Sequence, residues 1–186
     1  KAPLNLVYCK KCKLLQLEHS APQEIMYKRF YWYRSGVTST MKIALKDIYL
    51  SVKKLKILKK NDTVLDIGAN DGTLLKYFKK NHITVGCEPA KNLIHELKKN
   101  CDVVIDGFWN SKNFNKAYKN KKFRKPKIIT AIGMFYDLEK PSDFIKAAYN
   151  ALDEDGVFIA QLMCLDSMIK QNDLGNICHE HLEFYS

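Results

Sequence analysis

From residue 41 to about residue 162 the chain alternates two hydrophobic periods, and that alternation decides its architecture. Thr63-Val64-Leu65-Asp66-Ile67 has the character of a short buried strand and runs directly into the turn Gly68-Ala69-Asn70-Asp71-Gly72. Leu74, Leu75 and Phe78 then fall on one side of a helix. Further strands are expected at 83–87, 103–105, 127–132 and 157–162. Helices between them are marked by Leu93, Ile94 and Leu97 and by Phe144, Ala148 and Leu152. Ahead of the first strand, Met41, Leu45, Ile48, Val52 and Leu55 recur at helical spacing. Strands and helices in this order build βαβ units, which make an α/β, doubly wound, mainly parallel sheet. Ligands bind such a sheet beyond the carboxyl ends of its strands, at the switch point, so the residues just after each strand carry the function.

Three stretches are expected: 1–40, with a close cysteine pair and an aromatic patch; 41–165, the α/β core; and 166–186, a polar, His-rich tail. No apolar run reaches the roughly 18 residues of a membrane-spanning helix. Lys1-Ala2-Pro3 does not open a secretory signal, and six cysteines with one close pair do not make a disulfide framework. The expected compartment is the reducing cytoplasm. Thirty-one basic against 20 acidic residues give a net charge of +11, which favours nucleic acid, acidic lipid or a phosphorylated small molecule. Lysines 46, 53, 54, 56, 59 and 60 fall mostly between the apolar positions of the first helix and read as a solvated face. The cluster from Lys119 to Lys127, with Arg124, reads as a loop ahead of a strand. Solubilising charge is the first reading and an anion-binding surface the second; nothing matches an RNA-recognition motif.

The loop after the first strand is the most informative run. Gly68 and Gly72 let the backbone turn sharply beneath a ligand, and Asn70 stands where many nucleotide loops have glycine, being tolerant of positive φ. The spacing is not G-x-G-x-x-G, and Asp66 and Asp71 would repel a pyrophosphate. Acids there suit S-adenosylmethionine, which carries an ammonium and a sulfonium and no phosphate. Glu88, twenty residues on from Gly68, ends the second strand and suits the ribose hydroxyls. Asp106-Gly107-Phe108-Trp109 ends the third, with a polar group and aromatics for adenine. Singly, Asp66 also reads as a helix cap, Glu88 as a surface acid and Asp106 as a turn residue. At successive strand ends they read together as a site for S-adenosylmethionine.

Cys9-Lys-Lys-Cys12 has zinc-ligand spacing, and its lysines are expected to lower the thiol pKa values. A closed site needs four ligands, and His19 is the one nearby candidate for a third. Cys87, Cys101, Cys164 and Cys178 read as small core residues. The pair is therefore read as half of a structural zinc site, incomplete in this chain.

The runs Val64-Leu-Asp-Ile-Gly-Ala-Asn-Asp-Gly-Thr-Leu-Leu75 and Gly86-Cys-Glu-Pro-Ala90 resemble the sugar C-methyltransferase family of class I methyltransferases. So do Pro3 to Leu17 with its cysteine pair, Tyr31-Trp-Tyr33-Arg-Ser35-Gly36, and Asn176-Ile-Cys-His179-Glu180-His181-Leu-Glu-Phe-Tyr185-Ser. The resemblance implies a Rossmann-like core, part of an N-terminal zinc module, and methylation of carbon in a nucleotide-linked 4-keto deoxysugar. It implies S-adenosylmethionine contacts at Asp66, Gly68, Asn70, Asp71, Gly72, Glu88, Pro89, Asp106, Phe108, Met134 and Tyr136. In the segment after the fifth strand it makes His181 the base, with Glu180 orienting or tuning it and His179 beside them. Tyr185 or Tyr33 would hydrogen-bond the keto oxygen or a phosphate. Family members are longer, so the chain is expected to be an internal or truncated piece ahead of a C-terminal domain. The rival readings are an O- or N-methyltransferase on another small metabolite, a cofactor-binding fragment without turnover, and a nucleic-acid-binding protein.

Overall fold

The computed structural model describes residues 3–120 and 122–186. Lys1 and Ala2, and Lys121 of the basic cluster, lie outside the described residues. Two short strands come first, β1 (Leu6–Tyr8) and β2 (Leu15–Leu17), then a π-helical turn at Glu24–Lys28 and helix α1 (Ser39–Lys54). The core follows as β3 (Thr63–Ile67), α2 (Thr73–Phe78), β4 (Ile83–Glu88), α3 (Ile94–Asn100), β5 (Val103–Asp106), α4 (Ser111–Tyr118), β6 (Pro126–Ile132), α5 (Pro141–Ala151) and β7 (Val157–Gln161). Helix α6 (Leu165–Gln171) and strand β8 (Glu183–Phe184) close the chain.

Strands β3 to β7 form one five-stranded sheet in the order β5-β4-β3-β6-β7, every pair parallel. This is the doubly wound α/β fold that the alternation implies. Both faces are covered, which is why β3 reads as an unbroken apolar run: all five of its residues are buried. Val64 and Ile128 pack on one face with Leu45 and Val52 of α1 and Leu74, Leu75 and Phe78 of α2. Leu65, Ile67, Ile129 and Ala131 pack on the other with Phe114 of α4 and Phe144 of α5. The Thr38 side chain caps α1 by accepting the Met41 amide at 3.3 Å, and lysines 46, 53 and 54 point to solvent. Helix α4 buries only Phe114 among the described residues, too little pattern to announce itself in the sequence.

The first and last stretches of the chain meet. Strands β1, β2 and β8 form a small antiparallel sheet, with Leu15 opposite Phe184 and Gln16 opposite Glu183. Phe184 is buried there, at 1% exposure. The tail, read as polar from its sequence, thus contains a helix and a strand. Cys87 and Cys101 are core residues as expected, whereas Cys164 is exposed at the start of α6 and Cys178 is half-buried. Among the described residues no helix is long and apolar enough to cross a membrane.

Candidate functional site

Because β3 is flanked by β4 on one side and β6 on the other, the chain leaves the sheet in opposite directions there and opens a crevice. The turn after β3 forms its floor. Gly68 and Asn70 both have positive φ, +71° and +52°, so asparagine does adopt the left-handed backbone at this position. A Cβ at Gly68 would stand 2.9 Å from Cγ of Met134, which projects from the end of β6. The absence of a side chain there keeps the crevice open. Glu88, at the tip of β4 and 5% exposed, accepts the Asn70 amide through Oε2 and the Ala90 amide through Oε1, both at 2.8 Å.

A strap, residues 27–36, closes one side. Asn70 Oδ1 accepts the Ser35 amide at 3.0 Å and Nδ2 donates to the Tyr33 carbonyl at 3.1 Å. Asp71 Oδ2 accepts the Gly36 amide at 2.7 Å. Farther along, the Asn92 side chain donates to the Tyr31 carbonyl at 2.8 Å and accepts its amide at 3.0 Å, and Arg34 pairs with Glu96. The polar loop residues therefore hold protein backbone as well as framing the crevice.

The cleft measures about 770 Å³, the size that takes a nucleoside and a second small molecule. Gly68, Asn70, Glu88, Pro89, Phe108, Met134 and Tyr136 line it, as do Tyr33, His179, Glu180 and His181. Five other sequence candidates lie outside this lining. Asp66 is buried behind it and accepts the Thr130 hydroxyl at 2.6 Å. Asp71 is occupied by Gly36 and by the Thr73 amide and hydroxyl. Gly72 packs against Leu97 and Asn100. Asp106 pairs with Lys91 at 2.6 Å and lines a separate cavity with residues of α3 and α4. Tyr185 donates to Glu183 and lays its ring against Phe135.

His179, Glu180 and His181 enter from the loop before β8. His181 Nδ1 lies 2.7 Å from the Asn176 carbonyl, and its ring meets Tyr136 edge-on at 4.8 Å. Tyr27 donates to the Glu180 carbonyl at 3.3 Å, tying this loop to the π-helical turn. Tyr27 and Asp137 are among the cleft residues that have no counterpart in the sequence reading. Asp137 follows Tyr136 directly, so the acid closing Met134-Phe135-Tyr136-Asp137 was the available signal; Tyr27 had none.

Burial dominates the electrostatics. Desolvation pushes the Asp66 carboxyl up to about 7, against the Thr130 hydrogen bond that favours its ionised form, with the nearby Glu88 charge adding to the rise. Glu88 is raised by the same burial, which its two amide bonds oppose. Asp137 is pushed up to about 8 by burial and by the charge of Glu180, against the Tyr27 hydrogen bond that favours its ionised form. The phenols of Tyr27, Tyr31 and Tyr136 are driven well above their ordinary range, by desolvation first. A glycine-floored crevice of this size, with a buried carboxylate at the next strand tip and Phe108 facing it, fits S-adenosylmethionine.

Zinc fits less well. Cys9 and Cys12 sit at the tip of the β1–β2 hairpin, where the Cys12 amide points at Cys9 Sγ at 3.5 Å. The Cys9 thiol is lowered by the Cys12 backbone amide first, then by the Cys12 side chain and the Lys11 amide, rather than by lysine side chains. Among the described residues no group of three or more His, Cys, Asp or Glu is placed to hold a metal ion.

Comparison with known proteins agrees with this geometry. Residues 43–186 match a family model described as a methyltransferase domain. The chain is 24% identical, over 99% of its length, to the C-methyltransferase NovU of Streptomyces niveus, and spans 43% of that relative. The YcgJ protein of Bacillus subtilis has a similar fold, with a TM-score of 0.55 at 18% identity, covering 76% of this chain and 62% of that one. So does the plantazolicin methyltransferase BpumL, solved in complex with SAH, with a TM-score of 0.53 at 20% identity, covering 69% of this chain and 49% of that one.

Proposed function

The chain belongs to the methyltransferase domain family, and we propose that it methylates carbon in a nucleotide-linked 4-keto deoxysugar, with S-adenosylmethionine as donor. The observation that carries this reading is the setting of His181. A carbonyl oxygen only accepts, so the 2.7 Å contact with Asn176 keeps the proton on Nδ1. In the neutral ring Nε2 is then the nitrogen with a free lone pair, and His181 is part of the wall of the cleft that also holds Met134 and Gly68. An unactivated carbon does not attack a sulfonium, so carbon methylation needs such a base beside the acceptor.

When bound, S-adenosylmethionine supplies an electrophilic methyl group whose transfer leaves a neutral thioether. Gly68 and Glu88 would hold its amino-acid and ribose portions, with Phe108 available to the adenine. His181 Nε2 takes the proton from the carbon next to the ketone, and the electron pair of that C–H bond moves into the carbonyl to give an enolate. The carbon then takes the methyl, and the imidazolium returns its proton to solvent. Glu180 and His179 flank the base, and Tyr33, on the strap, faces the acceptor's phosphates. Cys9 and Cys12 would supply half of a four-ligand zinc site and take no part in the transfer. The 24% identity to a C-methyltransferase supports the choice of carbon.

The test uses thymidine diphosphate 4-keto-6-deoxyglucose in deuterated buffer with S-adenosylhomocysteine, so that no methyl is available. Enzyme-dependent deuterium exchange next to the ketone, seen by NMR, is the expected result. Methyl transfer to any acceptor without such exchange would overturn the reading in favour of O- or N-methylation.

A further inference from the structure

Asp137 closes the single helical turn Phe135–Asp137 that follows β6, beside the ring on which His181 rests. It lines the cleft, yet its Oδ1 is sealed from solvent and has no hydrogen-bond partner among the described residues. A buried carboxyl oxygen without a partner is costly, so an oxygen left so in a binding cleft points to a ligand that completes it. Its neighbours narrow the ligand's chemistry. The Tyr27 hydroxyl faces the carboxyl from the π-helical turn, Glu180 from the loop before β8, Tyr31 from the strap and Tyr136 from its own turn. The amide of Gln23 reaches only the Asp137 backbone carbonyl, at 3.1 Å.

Resting on the C-methylation reading, we propose that Asp137 Oδ1 binds the carbonyl oxygen of the acceptor and donates a hydrogen bond to it as the enolate forms. Burial and the Glu180 carboxylate oppose a second negative charge at Asp137, and outweigh the hydrogen bond of the Tyr27 hydroxyl that favours one. The carboxyl, pushed up to about 8, keeps its proton at neutral pH and serves as a donor. His181, in contact with the Tyr136 ring, and Asp137, next to Tyr136 in the chain, thus serve the two halves of enolisation: His181 receives the proton and Asp137 meets the charge that develops on oxygen.

The experiment measures deuterium exchange into thymidine diphosphate 4-keto-6-deoxyglucose from pH 6 to 9.5, for the wild type, Asp137→Asn and Asp137→Ala. Calorimetry with S-adenosylhomocysteine reports the integrity of the cleft. Exchange by the wild type is expected to fall as pH rises through about 8, where Asp137 loses its proton. Asp137→Asn, which still donates through N–H, is expected to slow exchange about tenfold at pH 7 and to lose that alkaline decline. Asp137→Ala is expected to lower kcat about 100-fold, with S-adenosylhomocysteine affinity kept in both variants. Wild-type exchange in Asp137→Ala, an alkaline decline that survives in Asp137→Asn, or lost S-adenosylhomocysteine affinity in both variants would each overturn the assignment while leaving C-methylation standing. A wild type that binds S-adenosylhomocysteine but exchanges no deuterium at any pH would remove the C-methylation reading, and this assignment with it.

Discussion

The Gly36 amide donates a 2.7 Å hydrogen bond to Oδ2 of Asp71, joining a strap that precedes the first core helix to the turn after β3. Asp71 is itself fixed by Thr73, whose amide and hydroxyl reach Oδ1 at 3.0 and 2.7 Å. The wall of the cleft is thereby mounted on its floor, and a change in one is felt in the other.

Gly36→Ala tests this mounting. A methyl group there would stand 2.6 Å from Thr73 Oγ1 and 2.8 Å from Asp71 Oδ2, and neither atom is free to retreat while Thr73 Oγ1 donates to Oδ1 of the same carboxylate and Oδ2 accepts the Gly36 amide. The strap must shift. S-adenosylhomocysteine binding, followed by calorimetry, is expected to weaken roughly tenfold, the equivalent of one lost hydrogen bond. Limited proteolysis near residues 27–36 is expected to accelerate.

Glu88 holds the floor from below. Its two oxygens take one amide each, from Asn70 and Ala90. Glu88→Gln keeps the shape but turns an NH₂ toward one of those amides, leaving a buried donor unpaired at a cost of about 1–3 kcal/mol. Urea unfolding should show that loss, and S-adenosylhomocysteine affinity is expected to fall at least tenfold, because the Gly68–Asn70 backbone moves with it.

Much of this was legible in the chain, for a definite reason. The strand at 63–67, the left-handed asparagine and the acid at the next strand tip are local signals, written in burial period and in turn chemistry. The bonds from Thr130 to Asp66 and from Gly36 to Asp71 are not local: those partners lie 64 and 35 positions away. Neither the two-residue strand β8, too short to show a period, nor Tyr27, one tyrosine among ten, could be singled out without the fold.

Asp66 also has a pH signature. Its carboxyl, pushed up to about 7 by burial, stays protonated in the folded chain where the unfolded chain has already ionised. Unfolding releases a proton in that window, so this group's contribution to stability falls as pH rises from about 4 to about 7 and is level above it. Asp66→Asn keeps an oxygen for the Thr130 hydroxyl and has nothing to titrate. Relative to wild type it is expected to gain stability between pH 5 and pH 7.5, by up to a few kcal/mol. Urea midpoints at the two pH values check the sign; a variant that tracks wild type at both places the titration on other carboxyls.

His181→Asn separates chemistry from binding. Asparagine still reaches the Asn176 carbonyl with its amide, so the loop before β8 keeps its anchor, but no lone pair of suitable basicity remains in the cleft wall. Removing a general base costs roughly 10²–10⁴-fold. Deuterium exchange next to the ketone and methyl transfer are expected to fall together by that factor, while S-adenosylhomocysteine binds as in the wild type. The two rates fall together because enolisation precedes transfer. Loss of transfer with exchange intact would give His181 a role in placing the enolate under the methyl group, and would move the base to a neighbour in the same wall, His179 first.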